Sequence, residues 1–351
     1  MANNKLAIIG CGGIGRYHLN HFLKMDDVNI VGVCDLIKER ADEFAAEAKC
    51  PAFTDFKEMY DAVSPDMVFI CIPPYCHGEV EFETIRRHIH MFVEKPVGLE
   101  PELFLKIRDM VKESGIITAS GLQLRYESNI DKLKEFAARH EIVEMNLMRV
   151  GGIPDTPWWK VRAQSGGQLV EQTIHQVDMA RNIMGEPVEV YSMGGHNIVK
   201  GIEGFDVEDM SVTLVRFASG ALGTITTGCY AENGAIADNK LTFGAVDARA
   251  DYYMFDKVAV YGDMQAAGDD AERNEVVKGD GRMMQINQAV EFKPEGDCGM
   301  LCDHTFIEAV ITGDASKIRS PYEDAVKSVL FTLACNESME TGKPVKVNVN
   351  L

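Results

Sequence analysis

The chain has 351 residues, of which 46% are hydrophobic and 25% are charged. This composition is typical of a soluble globular protein, and the length favours two domains over a single core. A formal net charge of −19 disfavours nucleic acid and anionic membrane surfaces as partners. No apolar run reaches the roughly 18 residues of a membrane span and no secretory signal is evident, so we expect a cytoplasmic protein. The nine cysteines are odd in number, which favours free thiols over a disulfide framework.

The first element is a short apolar strand that runs directly into a glycine-rich loop. Residues 6–9 are Leu-Ala-Ile-Ile, and residues 10–15 satisfy the pattern G-x-G-x-x-G. Helical spacing of apolar residues follows, and then a second apolar strand. This order is typical of a dinucleotide site, in which the first glycine allows the turn, the second lets the diphosphate approach and the third lets helix and strand pack closely. The start of the helix also offers free N–H groups to phosphate. The predicted cofactor-binding residues of the loop are Gly10, Gly12, Gly13, Ile14 and Gly15.

An acid closes the second strand. Asp35 lies twenty positions after Gly15, where a carboxylate can accept hydrogen bonds from both hydroxyls of the adenosine ribose. Its charge would repel the 2′-phosphate of NADP, so NAD is the expected cofactor and NADP the less favoured one. Lys38 and Arg40 lie close by and would soften that repulsion. The alternative interpretation is a tight turn between strand and helix that binds no ligand.

Strands and helices alternate up to residue 120, which predicts βαβ units on a doubly wound parallel sheet. After residue 121 strands follow one another without crossover helices, which predicts an antiparallel sheet in an α+β domain. We therefore expect a dinucleotide-binding domain over residues 1–121 and a substrate-binding and oligomerisation domain over residues 122–351. Within the second domain the spacing predicts a helix over 168–184, one strand over 252–261 and an exposed acidic insertion over 264–280. An open sheet face favours a homo-oligomer, either a dimer or a tetramer.

A lysine stands at the edge of the parallel sheet where ligands bind. Lys95 follows the strand at residues 91–93 and precedes Pro96, a candidate for a cis peptide. The carboxyl ends of parallel strands line the ligand crevice of open α/β sheets. A lysine there can hold a substrate hydroxyl and stabilise negative charge as its proton leaves, although a surface lysine after a strand would look the same. Lys95 is also predicted to contact the cofactor, and the further cofactor-binding residues predicted along this edge are Ile72, Pro73, His77 and Glu94.

The predicted helix over 168–184 carries a polar stripe. Glu171, His175 and Asp178 lie on it by i, i+3 and i+4 spacing, and the opposite side of the helix is apolar. A histidine between two acids is how a general base is oriented and tuned. The alternative interpretation is a solvated helix face.

Two further segments carry side chains suited to a sugar. Trp158 and Trp159 offer flat faces on which the C–H side of a sugar ring can stack, while packing in the core is the alternative role. Asp303 and His304 would add hydrogen bonds if the start of their helix faces the cleft. The cysteines and histidine near residue 300 match no structural zinc spacing, so no metal site is predicted.

Taken together, these segments resemble the Gfo/Idh/MocA family of oxidoreductases, which is named after glucose–fructose oxidoreductase, inositol dehydrogenase and a rhizopine-catabolism protein. The matching segments are residues 7–18, Cys34-Asp35, Glu94-Lys95-Pro96 and residues 166–178. A helix and a strand at the end of the chain also fit, so the similarity spans nearly the whole chain. The resemblance implies an N-terminal Rossmann domain and a C-terminal domain built on a large open-faced, mostly antiparallel sheet. It also implies a nicotinamide cofactor and a sugar or cyclitol substrate.

The resemblance also implies roles for individual residues. Lys95 and His175 match the family's lysine and its proton-transferring histidine, and they are the predicted catalytic residues. The acid one turn before the histidine is usually aspartate, whereas this chain has Glu171, whose longer side chain would contact the substrate or orient His175. The remaining residues that the resemblance assigns are Gln123 to the cofactor, and Tyr126, Trp159 and Arg162 to the substrate.

The sequence thus predicts an NAD(P)-dependent dehydrogenase that transfers a hydride between nicotinamide and a secondary alcohol of a sugar, sugar derivative or cyclitol. Two alternatives stay open at this point. One is an NAD-dependent glycosidase that uses transient oxidation and elimination, and the other is a non-catalytic NAD-binding sensor.

Overall fold

The computed structural model describes residues 4–196, 198–231, 234–263, 265–266 and 289–349. The first part of the chain forms a parallel sheet whose strands are ordered β3-β2-β1-β4-β5-β6, which confirms the predicted doubly wound architecture. The strands are β1 Lys5–Ile9, β2 Asn29–Cys34, β3 Ala52–Phe53, β4 Met67–Ile70, β5 His90–Val93 and β6 Thr118–Ser120. The helices that connect them are α1 Gly13–Phe22, α2 Lys38–Ala48, α3 Phe56–Val63, α4 Glu79–Arg86 and α5 Pro101–Ser114.

The second part of the chain forms a larger, mostly antiparallel sheet with helices on one face. Its strands are β7 Ile142–Val150, β8 Pro187–Gly195, β9 Met210–Phe217, β10 Leu222–Gly228, β11 Asp238–Ala245, β12 Arg249–Tyr253, β13 Lys257–Tyr261, β14 Val290–Phe292 and β15 Val345–Lys346. The helices of this part are α6 Ile130–Arg139, α7 Arg162–Ser165, α8 Gln168–Glu171, α9 Ile174–Met184, α10 Cys298–Thr312 and α11 Tyr322–Thr341. The strand order is β14-β13-β12-β11-β7-β10-β9-β8-β15, in which the neighbours β7 and β10 run parallel and the other neighbouring pairs run antiparallel.

The alternation of side chains decides which face of the second sheet is covered. On β7, Met145 and Leu147 point into a core that also contains Phe136 of α6 and Val177 of α9. The opposite face of the sheet carries exposed apolar side chains, namely Val212, Leu214 and Leu222. An apolar open face is consistent with the expected homo-oligomer, and the oligomeric state stays a prediction.

The helix α10 and the first turns of α11 pack against the first sheet, and the later part of α11 packs on the second. The ring of Phe306 on α10 lies 5.5 Å from that of Phe69 on β4 and 5.8 Å from that of Phe92 on β5. Tyr322 on α11 is wholly buried in a cluster that contains residues of β1, β4 and β5. The two sheets are therefore joined by shared cores, and the end of the chain contributes to the core of the first domain.

Two predicted elements differ from the structure. The single strand expected over 252–261 is two strands, β12 and β13, because the chain turns at Phe255, which adopts a left-handed conformation with φ of 61°. The helix expected over 168–184 is broken between α8 and α9, where the N–H of Thr173 donates to the carbonyl of Gln168, five residues back. The hydroxyl of Thr173 is bound to that of Thr227 on β10, which holds the break in place.

Three other predictions concern the chain as a whole. The acidic insertion expected over 264–280 lies outside the described residues except for positions 265 and 266. All nine cysteines are free thiols. In the part of the chain that the structure describes, no helix is both long and apolar enough to cross a membrane.

Candidate active site

The glycine loop between β1 and α1 is tight toward the sheet and open on its outer side. Gly10 has φ of +95°, and a Cβ there would lie 2.1 Å from the carbonyl oxygen of Cys71. A Cβ on Gly15 would lie 2.0 Å from the carbonyl oxygen of Gly10, so this glycine lets helix and strand pack. At Gly12 and Gly13 a Cβ would meet no described atom within 4 Å. The loop therefore leaves space for a ligand at the amino end of α1, where free N–H groups favour phosphate.

Asp35 is fixed at the tip of β2 beside this loop. Its Oδ2 accepts a hydrogen bond from the N–H of Cys11 at 2.8 Å, and its Oδ1 accepts one from the N–H of Ile37 at 2.8 Å. These two bonds hold the carboxylate where the ribose of a dinucleotide would lie next to a diphosphate on the loop. The loop and this acid together fit a dinucleotide cofactor.

A cleft of about 580 Å³ opens between the start of α1 and the second part of the chain. One wall contains Gly13, Ile14 and Gln123, and the phenolic hydroxyl of Tyr17 donates to Oε1 of Gln123 at 3.2 Å. The opposite wall is formed by Glu127, Phe255 and residues 294–298. Gln123 thus lies in the same cleft as the glycine loop, and its contact with the cofactor stays a prediction.

The segment after β4 supplies three more of the predicted cofactor-binding residues. Ile72 and Pro73 are partly buried where this strand ends. His77 is buried, with Nδ1 2.5 Å from Oε1 of Glu81, and its Nε2 has no partner among the described residues. A buried ring nitrogen without a partner is an uncommon state in folded proteins.

Lys95 reaches across the interface between the two parts of the chain. It follows β5, its peptide bond to Pro96 is cis, and its Nζ lies 2.7 Å from Oε1 of Glu171 at the end of α8. The ammonium also donates to the backbone carbonyl of Glu171 at 3.1 Å. The two side chains are 15% and 9% exposed, so this ion pair is shielded from water and gains strength from the shielding.

Glu171 is the centre of a wider set of donors. Its Oε2 accepts from the indole N–H of Trp159 at 2.7 Å and from the side-chain amide of Gln172 at 2.8 Å. Burial raises the pKa of this carboxyl, but Lys95 and these donors outweigh burial and hold it below its usual value. Glu171 is therefore a charged acceptor that fixes the position of the Lys95 ammonium.

His175 begins α9 one turn after Glu171. Burial, followed by the positive charge of Lys95, lowers the pKa of His175 to about 3, and Glu171 opposes this only in part. Its Nδ1 is buried and has no hydrogen-bond partner in the described chain. The imidazole is thus neutral at physiological pH and carries a nitrogen that is free to accept a proton.

A second buried network supports the backbone next to Lys95. Oε2 of Glu94 accepts from the N–H of Lys95, and its Oε1 lies 3.0 Å from Nε2 of His18 on α1. The Nδ1 atoms of His18 and His21 lie 2.8 and 2.7 Å from Oδ2 of Asp303 on α10. Burial alone would lower the pKa of His18, but the two carboxylates raise it to about 10, so this side chain is an imidazolium that links α1, β5 and α10.

Several residues predicted to contact substrate lie elsewhere. Asp303 is wholly buried against His18 and His21, because α10 reaches the cleft only at its first residue, Cys298, and its next turns pack on the first sheet. His304 points away from the cleft, 3.5 Å from Asp27. Tyr126 is 2% exposed, and its hydroxyl accepts from the N–H of Arg319. These three predictions are corrected accordingly.

Trp159 contacts the Lys95–Glu171 pair, whereas Arg162 is bound to other carboxylates. Trp159 is 1% exposed, so its ring packs in the interior and its indole N–H holds Glu171, which leaves no face for a sugar. Arg162 is bound to Glu208 at 2.7 Å and to Glu340 at 3.1 Å. The alternative role of the tryptophan, packing, is the one that its burial supports.

The predicted polar stripe divides between two environments. Glu171 and His175 face Lys95, whereas Asp178 is buried and makes two hydrogen bonds, at 2.6 and 2.7 Å, with the guanidinium of Arg125. The break before α9 rotates the stripe, and Asp178 serves to anchor the segment after β6 to this helix.

Sequence reasoning missed three contributors to the site. Gln172 was hidden because it lies beside the stripe rather than on it, and it bonds both Glu171 and Arg149. Arg149 interrupts the apolar covered face of β7, which was a detectable signal. His18 lies three residues after Gly15, within the matched glycine-loop segment, but nothing in the sequence indicated its carboxylate partners.

Comparison with known proteins agrees with this geometry. Residues 4–122 match the family model described as an oxidoreductase family with an NAD-binding Rossmann fold, and residues 136–248 match the model of the GFO/IDH/MocA C-terminal domain. Myo-inositol 2-dehydrogenase of Thermotoga maritima is 27% identical over 349 residues, which cover 98% of each chain. A 2,7-anhydro-N-acetylneuraminate hydratase of Escherichia coli is 28% identical over 63% of this chain and 60% of its own length. The structure of a levoglucosan dehydrogenase in complex with NADH and L-sorbose shares the fold, with a TM-score of 0.83 at 20% identity over 99% of this chain and 100% of that one.

The parallel sheet with its glycine loop, the open antiparallel sheet and the lysine between them define a two-domain oxidoreductase that depends on a dinucleotide. The chain belongs to the Gfo/Idh/MocA family of NAD-binding oxidoreductases.

Proposed function

We propose that this protein is an NAD-dependent dehydrogenase that oxidises a secondary alcohol of a sugar, sugar derivative or cyclitol. The observation that carries the proposal is the meeting of Lys95 and Glu171 at 2.7 Å, with His175 one helical turn further on. Bound NAD supplies the hydride acceptor, held by the glycine loop and Asp35. The names of the inositol and levoglucosan dehydrogenases support the substrate class.

The remaining chemistry belongs to two side chains. Lys95 donates a hydrogen bond to the substrate hydroxyl and stabilises negative charge on that oxygen as the proton leaves. His175 is the proton acceptor, and burial and Lys95 lower its pKa so that the imidazole is unprotonated before the reaction. Reduction of a ketone reverses these roles, with His175 returning the proton.

The alternative function keeps the same residues but produces no net oxidation. The hydratase relative supports it, since hydration leaves the oxidation state of the substrate unchanged overall. A glycosidase that oxidises and re-reduces its substrate belongs to the same class. Both would act without accumulating NADH, whereas the dehydrogenase releases NADH in proportion to the sugar that it consumes.

The test is a screen of sugars and cyclitols for NADH formation at 340 nm, followed by Lys95→Ala and His175→Ala. We expect each substitution to lower kcat roughly 10²–10⁴-fold, the usual contribution of a positioned acid or base, while NADH binding is retained. Lys132→Ala, which removes an exposed lysine paired with Glu135, is the matched control and should change kcat little. Normal turnover in either active-site variant removes that residue from the mechanism, and product formation without NADH supports the alternative.

A further inference from the structure

The covered face of the second sheet becomes polar at the end that borders the active site. On β7 the residues that face the helices are Met145, Leu147 and then Arg149. Arg149 is paired across the sheet with Thr227 on β10 and with Asn239 on β11. A row of three polar side chains thus replaces the apolar core next to the starts of α8 and α9.

Arg149 is a cation without a carboxylate partner. One nitrogen, Nη2, donates to the neutral side-chain oxygen of Gln172, and the other, Nη1, is buried and has no hydrogen-bond partner in the described chain. Among the residues that the structure describes, no acid forms an ion pair with Arg149. Gly151 lies next to it, where a Cβ would approach Nη1 to 2.8 Å, so a side chain at this position would crowd the guanidinium.

The surrounding polar layer is also incompletely hydrogen-bonded. Gln168 and Gln176 are 0% and 1% exposed. The side-chain nitrogen of Gln168 donates to Thr227, and that of Gln176 donates to Asn239. The side-chain oxygens of both glutamines have no partner among the described residues. Nδ1 of His175 is in the same state. Buried polar groups are normally satisfied, and a concentration of exceptions marks a place where a polar ligand or ordered water completes the bonding.

The charges of the site leave a surplus that Arg149 provides. The carboxylate of Glu171 neutralises Lys95 at 2.7 Å and accepts hydrogen bonds from the side chains of Trp159 and Gln172. The backbone carbonyl of Glu171 accepts a further hydrogen bond from the Lys95 ammonium. The carboxylate of Glu171 also attracts Arg149 through space but is bound to Lys95, so Arg149 has no carboxylate of its own in a protein whose net charge is −19. A buried cation of this kind recognises an anion strongly, because the surroundings offer little competing water.

We propose that Arg149 binds a carboxylate on the substrate, so that the enzyme acts on sugar or cyclitol acids in preference to their neutral parents. The proposal rests on the dehydrogenase function, since it places the carboxylate beside the carbinol that Lys95 and His175 handle. A carboxylate carries one negative charge and matches the single surplus cation. A phosphate ester carries nearly two negative charges at neutral pH and would need a second cation or a helix amino end beside Arg149.

The test compares matched substrates that differ only in the acid. We would measure kcat/KM for D-glucuronate against D-glucose and for D-galacturonate against D-galactose, with D-glucose 6-phosphate as the phosphate arm. We expect the wild type to prefer the acid of at least one pair by tenfold or more, the value of one charge-assisted hydrogen bond at about 1.5–3 kcal/mol. In Arg149→Gln the ratio of acid to neutral sugar should fall to about one, and Arg149→Lys should retain part of it. Arg216→Gln is the matched control, because it removes one exposed arginine from the open face of the same sheet and should leave the ratio unchanged.

Binding measured without turnover separates this proposal from the function on which it rests. NADH-loaded protein would be titrated with D-glucuronate by calorimetry, with melting temperatures confirming that each variant is folded. If D-glucuronate binds to the wild type and not to Arg149→Gln, the carboxylate site is supported even if no sugar is oxidised. In that case only the dehydrogenase proposal fails. Two results would overturn the role of Arg149. One is that the neutral sugars are oxidised as efficiently as both acids, and the other is that the ratio of kcat/KM for acid to neutral sugar is the same in Arg149→Gln as in the wild type. A preference for the phosphate over the carboxylates overturns the assignment of the anion.

Discussion

Glu171→Gln offers the sharpest test of how the active site positions Lys95. The carboxylate accepts from Lys95 through one oxygen and from Trp159 and Gln172 through the other. Glutamine provides one acceptor oxygen and one NH₂ donor. In one orientation the NH₂ group faces the Lys95 ammonium, and in the other it faces the N–H groups of Trp159 and Gln172. Either way the substitution removes the charge and also creates a contact between donors.

The expected size of the effect follows from these contacts. Loss of one charge-assisted hydrogen bond costs about 1.5–3 kcal/mol, and each 1.4 kcal/mol is roughly a factor of ten in rate. Because Glu171 acts on the reaction by holding Lys95, we expect kcat to fall roughly ten- to hundredfold and KM for NAD to change little. Trp159→Phe removes one donor and leaves the ion pair intact, so its cost should be nearer 1 kcal/mol, or about fivefold.

The assay is the initial rate of NADH formation at saturating NAD with the best sugar from the screen, together with melting temperature and NADH affinity for each variant. A folded Glu171→Gln protein whose kcat lies within twofold of the wild type would refute the reasoning. Equal losses in Glu171→Gln and Trp159→Phe would also refute it, since the indole would then matter as much as the charge.

Two further predictions concern the cofactor and the buried imidazolium. Asp35→Ser removes the carboxylate that the N–H groups of Cys11 and Ile37 hold at the tip of β2. The preference for NAD over NADP, measured as the ratio of kcat/KM values, should therefore fall at least about tenfold, and an unchanged ratio would contradict this role. Because Asp303 and Glu94 raise the pKa of His18 to about 10, from an ordinary value near 6.5, its stabilising effect is complete below pH 6.5 and is lost as the pH rises toward 10. The free energy of unfolding, measured with guanidinium chloride between pH 6.5 and 9.5, should therefore fall on the order of a few kcal/mol further for the wild type than for His18→Gln. If this free energy changes with pH in the same way in both proteins, His18 carries no extra proton.

The elements of the predicted cofactor site could be placed from the sequence because their geometry is local. A strand, a turn at Gly10, a helix packed through Gly15 and an acid after the next strand are fixed by residues that are near one another in the chain. The position of Lys95 at the end of a parallel strand follows from the same logic. The parallel first sheet and the mostly antiparallel second sheet were likewise predictable, since the presence or absence of crossover helices decides between the two arrangements.

Other assignments failed because burial depends on packing between distant elements. Trp159 has the same flat ring whether it faces a sugar or the interior, and only the position of Glu171 assigns its N–H to a partner. Asp303 looks like a ligand at the start of a helix, but α10 packs on the first sheet and pairs it with His18, 285 residues earlier. The single strand expected over 252–261 was wrong because a left-handed turn at Phe255 leaves no periodic signal.

The sequence by itself determined the cofactor loop and the order of strands and helices along the chain, because chain neighbours fix turn geometry and side-chain periodicity. The two catalytic candidates came from its resemblance to the family. Only the tertiary structure decided which charges are paired. Lys95 finds its carboxylate 76 residues later, across the interface between two sheets, while Arg149 on the covered face of β7 is left without one. Electrostatic energy depends on separation in space and on exclusion of water, and neither quantity is written in the spacing of residues along a chain.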